Sequence, residues 1–144
     1  MLSDHIDAAT VEAYERSSAA WPVDPQGYHY GASELRLPAR DLAKFGHLYL
    51  NGGRWDDKQL IPAAYVAAAT SPKGSSPNLD NGYGWHWWVD TDGEHRSFFA
   101  RGRGGQFIYV VPDLDLVTVV TCDPEKGSTP GKLITQTIVP AVAN

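Results

Sequence analysis

Two short stretches of the chain, Gln106 to Val111 and Leu116 to Thr121, are apolar at nearly every position. The first carries Phe107, Ile108, Val110 and Val111; the second carries Leu116, Val117, Val119 and Val120. A strand with one face in water alternates apolar and polar side chains, so a run without alternation is a strand covered on both faces. Upstream, Tyr83 to Asp90 and His95 to Arg101 are likewise rich in aromatic and β-branched residues. The separators Asp92-Gly93, Arg103-Gly104-Gly105 and Pro112-Asp113 are short, and short connections join antiparallel strands. The four runs therefore predict an antiparallel meander. Ile134, Ile138, Ala141 and Val142 form one stripe on a terminal helix from about residue 131, bent at Pro140, which supplies cover for one face.

Helical periodicity precedes the strands. Leu42, Phe45, Leu48 and Tyr49 share a face, which predicts a helix over 39–50 ended by Asn51-Gly52-Gly53. A turn at Asp56-Asp57 leads to a second helix with Pro62 in its first turn, running to about Ala69. Residues 70–82 read as a loop from their Ser, Pro, Gly and Asn content. Near the start, Ile6, Ala9 and Ala13 suggest a short helix over Asp7 to Arg16 capped by Asp7, and the breakers between Ser17 and Leu37 make that stretch an extended connector ordered by its aromatics. The fold class expected is α/β of the α+β type, an antiparallel sheet meander with flanking helices.

Size and charge bound the function. A chain of 144 residues with net charge −5 is one globular domain with a sizeable core and no basic face for nucleic acid. The single Cys122 excludes an intrachain disulfide. The opening Met1-Leu2-Ser3-Asp4-His5 lacks the basic and apolar regions of a signal peptide, and no run approaches a membrane span. As written, the chain is expected to be soluble and cytoplasmic.

The residue inventory for nucleophilic hydrolysis is incomplete. A serine activated by a lysine one helical turn later needs Ser-x-x-Lys. The nine serines are followed three places on by Ile6, Ala20, Trp21, Arg36, Gly74, Asn78, Leu79, Ala100 and Gly131, none of them lysine. Gly31-Ala32-Ser33-Glu34-Leu35 lacks the second glycine of a nucleophile elbow, so Ser33 reads as a loop or capping residue. His5, His29, His47, His86 and His95 show no metal-ligand spacing, and no metal or cofactor is expected. In a hairpin turning at Asp92-Gly93, His95 lies opposite about Asp90 and His86 opposite about Phe99. Gly102-Arg103-Gly104-Gly105 precedes a strand instead of a helix and is no phosphate loop. It serves either as a plain glycine turn or as a place where substrate lies against a strand edge and its free N–H groups. Strand alternation puts Tyr83, Trp85 and Trp87 on one face, as a core layer or a stacking platform. Arg96, Arg101 and Arg103 could bind a carboxylate or phosphate, or simply be solvated.

Four ordered phrases carry a resemblance. They are Trp21-Pro22-Val23-Asp24-Pro25-Gln26-Gly27, the run from Leu35 to Gly46, Leu48-Tyr49-Leu50-Asn51-Gly52-Gly53, and Gly105-Gln106-Phe107-Ile108-Tyr109-Val110-Val111-Pro112. Together they resemble the C-terminal part of serine β-lactamase-related hydrolases, the family of class C β-lactamases, penicillin-binding DD-peptidases, family VIII esterases and 6-aminohexanoate-dimer hydrolases. The resemblance implies a partial β-lactamase/DD-peptidase-like fold. It divides the chain into a divergent N-terminal segment, 1–20, and the C-terminal portion of the hydrolase domain, 21–144.

The resemblance also assigns roles. The family's Lys/His-Thr-Gly motif aligns with Ala100-Arg101-Gly102, of which only the glycine is kept. The backbone N–H of Arg103 would then be half of an oxyanion hole, with Arg101, Gly102 and Gly104 lining the substrate side. Tyr49-Leu50-Asn51 matches Tyr-x-Asn in letters but closes the 39–50 helix, and is rejected as the catalytic tyrosine. The parent chemistry implied is acylation of a serine by an amide or ester substrate, with the chain inactive alone. The far side of strand 116–121 has no predicted neighbour, which suggests an N-terminal complementing chain or a homo-oligomer at that edge. The competing reading is a stand-alone carbohydrate- or peptide-binding module using the Trp85/Trp87 face.

Overall fold

The computed structural model describes residues 21–31, 33, 35–76, 79–123 and 130–143. It falls into two compact units, Met1–Pro38 and Ala39–Asn144. In the first, Asp24 organises a turn: its Oδ1 accepts the N–H groups of Gln26 and Tyr28, both at 2.9 Å. Gly27 takes a positive φ of 88° in that turn, a conformation glycine adopts without a steric penalty. Val23 and His29 form an antiparallel bridge. The Trp21 ring stacks on His29 at 4.6 Å and donates its Nε1–H to the Tyr30 carbonyl at 2.8 Å. The expected connector is thus ordered by its aromatics; the helix expected over Asp7 to Arg16 lies outside the described residues.

The second unit begins with helix α1, Ala39–Leu50. A small hairpin follows, β1 (Arg54–Trp55) and β2 (Lys58–Gln59), and then helix α2, Ala63–Ala69. Six strands come next in unbroken antiparallel order: β3 (Gly74–Ser76), β4 (Leu79–Tyr83), β5 (Trp88–Asp90), β6 (Ser97–Gly102), β7 (Gln106–Val111) and β8 (Leu116–Val120). A helical run closes the unit, made of α3 (Pro130–Leu133), a π-helical turn (Ile134–Ile138) and α4 (Val139–Ala143).

Period-2 alternation splits the apolar strands between two cores. Phe98, Ile108 and Val110 join Trp87, Val89, Tyr49 and Val66 beneath the two helices. Phe99, Phe107, Tyr109 and Val111 pack on Ile134 on the opposite face. Strand β7 is buried from Phe107 to Val111, as its uninterrupted apolar run requires. Helix α1 lies across β7 and β8 and approaches closely because Gly46 has no side chain. A Cβ there would sit 2.7 Å from Val117 Cγ1 and 2.8 Å from Ile108 Cγ2. The helix has the expected bounds, but its contact centre is Gly46 and Tyr49, while Phe45 is 42% exposed at the rim.

Several sequence expectations need correction. The loop expected over 70–82 contains β3 and most of β4; Gly, Ser and Asn residues become strands there by pairing onto the sheet, with a register shift between Ser75 and Ser76. The single strand expected over Tyr83 to Asp90 breaks between Tyr83 and Trp88. The break arises because Gly84 donates its N–H to Trp87 O, Trp85 donates to Ala69 O, and His86 takes a φ of 63°. The β5–β6 connection is longer than a two-residue turn: Asp90 pairs with Ser97 and Trp88 with Phe99. His95 therefore does not lie opposite Asp90, and His86 lies off the strands. The terminal stripe also stops short. Ile134 is fully buried, whereas Val142 is 48% exposed. Pro140 has no N–H to continue the regular ladder, and the Val139 N–H reaches back to Ile134 O in the wider π pattern.

Candidate functional site

The β6–β7 turn brings together every residue that the sequence places at the oxyanion wall. Gly102 ends β6 opposite Gln106, and the Gly105 N–H donates to Gly102 O at 3.3 Å across the turn. Gly104 and Gly105 have φ of 78° and 91°, which explains why two glycines stand together. Arg101, Gly102 and Arg103 are exposed. The Arg103 N–H meets no backbone carbonyl among the described residues, so it faces outward as a free donor. Arg101 lies with its guanidinium 5.9 Å from the Phe107 ring centre. The ring steadies the side chain by a cation–π contact while its N–H fork stays in water.

Arg96 does not belong to this group. It donates to the Thr70 carbonyl at 2.6 Å, tying the β5–β6 loop to the end of α2, and the length of β6 separates it from Arg101 and Arg103. Tyr49, only 9% exposed, packs its ring 4.7 Å from Trp87. Burial pushes its hydroxyl above the ordinary tyrosine range. Asn51 bonds back to His47. That pair is structural, as its place at the helix end implies. Ser33 lies in a bend and is exposed.

Trp85 and Trp87 do not share a face. Trp87 is 2% exposed among Phe45, Tyr49 and Phe98, while Trp85 is 45% exposed beside Tyr65 and Lys73. The break in the strand at Gly84 to Trp87 ends the alternation that would have aligned them. Tyr83 instead meets Trp88 edge to face at 4.6 Å.

Gln106 is a supporting residue that sequence reasoning missed. Its side-chain amide donates to Cys122 O at 2.6 Å and accepts the Cys122 N–H at 3.2 Å. This pair fastens the chain after β8 to the base of the turn. The one available signal is a lone amide at the first position of an otherwise apolar strand. Gln106→Ala removes both bonds from a half-buried site and is expected to cost about 1–2 kcal/mol, read as a lower urea midpoint at unchanged slope.

A second polar contact joins the far end of the sheet. The His95 Nδ1–H donates to Asp113 Oδ2 at 2.5 Å, and this bond holds the Asp113 carboxyl below its ordinary 3.8. A lowered carboxyl pKa adds stability above the unfolded pKa and loses it as pH falls through the folded one. Asp113→Asn is therefore expected to flatten the stability profile below about pH 3.8 and to leave it unchanged near neutrality apart from the lost bond; acid titration followed by circular dichroism reads this. Among the described residues, no three His, Cys, Asp or Glu side chains come close enough to hold a metal ion. No helix among them is long and apolar enough to cross a membrane.

An antiparallel sheet between helices, with a glycine-flanked donor turn at the end of one inner strand, defines a β-lactamase-like fold. The β-lactamase family model matches residues 3–140, and the chain belongs to that family of hydrolases. The fold is similar to that of a provisionally named 6-aminohexanoate-dimer hydrolase from Bacillus anthracis, with a TM-score of 0.71 and 23% identity. That likeness covers 85% of this chain and 32% of the other, so the chain spans about a third of that neighbour's length. No curated protein matches by sequence.

Proposed function

We propose that this chain is the C-terminal, oxyanion-binding portion of a β-lactamase-like serine hydrolase that acts on a small-molecule amide or ester. The observation that carries the reading is the outward Arg103 N–H on a turn whose glycines leave room beside it. A donor fixed in place before reaction stabilises the oxygen that becomes negative in the transition state at no reorganisation cost. Arg101 and Arg103 add charge for a carboxylate-bearing substrate, and Gly102 and Gly104 allow the substrate backbone to lie close. The serine to be acylated and its lysine and tyrosine partners come from an N-terminal portion bearing Ser-x-x-Lys and Tyr-x-Asn. Without that portion the chain does not turn over substrate.

The donor role is tested by titrating isotopically labelled protein with methylphosphonate, which presents a tetrahedral array of anionic oxygens. Chemical-shift changes centred on the Arg103 amide, kept in Arg103→Ala and lost in Arg103→Pro, support it, since proline alone removes the N–H. A turn between Gly102 and Gly105 that stays unperturbed at saturating phosphonate contradicts it.

A further inference from the structure

The two edges of the six-stranded sheet are built differently. At one edge β3 has three residues, its pairing slips between Ser75 and Ser76, and Lys73 stands just before it. Shortness, irregular pairing and a lysine are the usual ways of making an edge unsuitable for further pairing. At the other edge β8 has none of them. Its five residues, Leu-Val-Thr-Val-Val, pair with β7 in unbroken register from Leu116 to Val120 and carry no charge, proline or glycine. All five are only half-buried, although cores lie on both faces, and among the described residues no strand pairs with the outer side of β8.

We propose that β8 docks a second copy of this chain, antiparallel, with Thr118 on the two-fold axis. The segment is self-complementary. Centred on Thr118, the register sets Leu116 against Val120, Val117 against Val119 and Thr118 against its own copy. No like charges meet within the strand, and the central threonine pair is a favourable cross-strand contact. The alternating faces also agree, because Leu116 and Val120 pack on the Ile134 side while Val117 and Val119 pack on the α1 side. Strands lie about 4.8 Å apart. A helix placed over β7 and β8, as α1 is, then sits roughly 5 Å from the axis. The two α1 helices would approach to about 10 Å, an ordinary helix packing distance, which extends the contact beyond the strand pair. This inference concerns the sheet edge and does not depend on the hydrolytic reading.

Sedimentation of the whole chain across a wide concentration range tests it. The weight-average mass should rise from 15.7 kDa toward twice that value. Thr118→Lys and Thr118→Asp each place like charges on the axis and should each remain monomeric, while an equimolar mixture of the two should form a heterodimer. Independently of any variant, the outward amides of β8 should gain hydrogen-exchange protection as concentration rises. A chain that stays monomeric throughout overturns the proposal, as does a dimer unaffected by Thr118→Lys, a variant mixture that stays monomeric, or β8 protection that ignores concentration.

Discussion

Truncating Trp87 to alanine is expected to cost about 3–5 kcal/mol and to leave the chain largely unfolded at room temperature. Trp87 is 2% exposed and makes ring contacts with Tyr49 at 4.7 Å, Phe98 at 5.1 Å and Phe45 at 6.0 Å. It joins α1 to the sheet at the point where β5 begins, so no neighbour can collapse into the space without moving a helix. A domain of this kind has about 5–15 kcal/mol in total, and the loss is a large part of it. Urea unfolding followed by tryptophan fluorescence and circular dichroism measures the change. A cost below about 1 kcal/mol would mean that Trp87 is not in the core described.

Gly84→Ala should be nearly as damaging for a different reason. A Cβ at Gly84 would lie 2.0 Å from the Ala69 carbonyl oxygen and 2.9 Å from Ser71 O. Both are backbone atoms at the end of α2, and Trp85 also donates to Ala69 O. Nothing flexible can yield, so the helix end must part from the sheet, at a cost of about 3 kcal/mol or more. Gly93→Ala is the matched control: its Cβ would meet its nearest neighbour at 3.6 Å, an ordinary contact, and its midpoint should barely move. Equal midpoints for the two variants would refute the close docking of the Gly84 turn.

The same two positions show what the sequence made legible and what it did not. Helix α1 and strand β7 could be read to the residue because their periodicity is strong and glycine turns bound them. Residues 83–90 misled because Tyr83, Trp85, Trp87 and Trp88 satisfy a strand pattern locally. The interruption comes from Ala69, distant in sequence, which takes the Trp85 N–H. Strands β3 and β4 were hidden for the opposite reason: residues such as Gly74, Ser75, Ser76, Asn81 and Gly82 have no strand preference of their own, and pairing alone makes them strands. At the site, Arg101, Gly102, Arg103 and Gly104 fall together because they are consecutive in one turn. Gln106 was missed because its partner Cys122 is set by the β7–β8 register, which no local pattern encodes.

Hydrolysis of a chromogenic short-chain ester by the purified chain, beside Arg103→Ala and Arg103→Pro, tests the central claim most directly. The account predicts a folded protein with no turnover above background in all three samples, because the donor turn is present and the nucleophile is not. Turnover by the unaltered chain that survives Arg103→Ala and vanishes in a folded Arg103→Pro would contradict it, by showing that this chain already holds a nucleophile beside the turn.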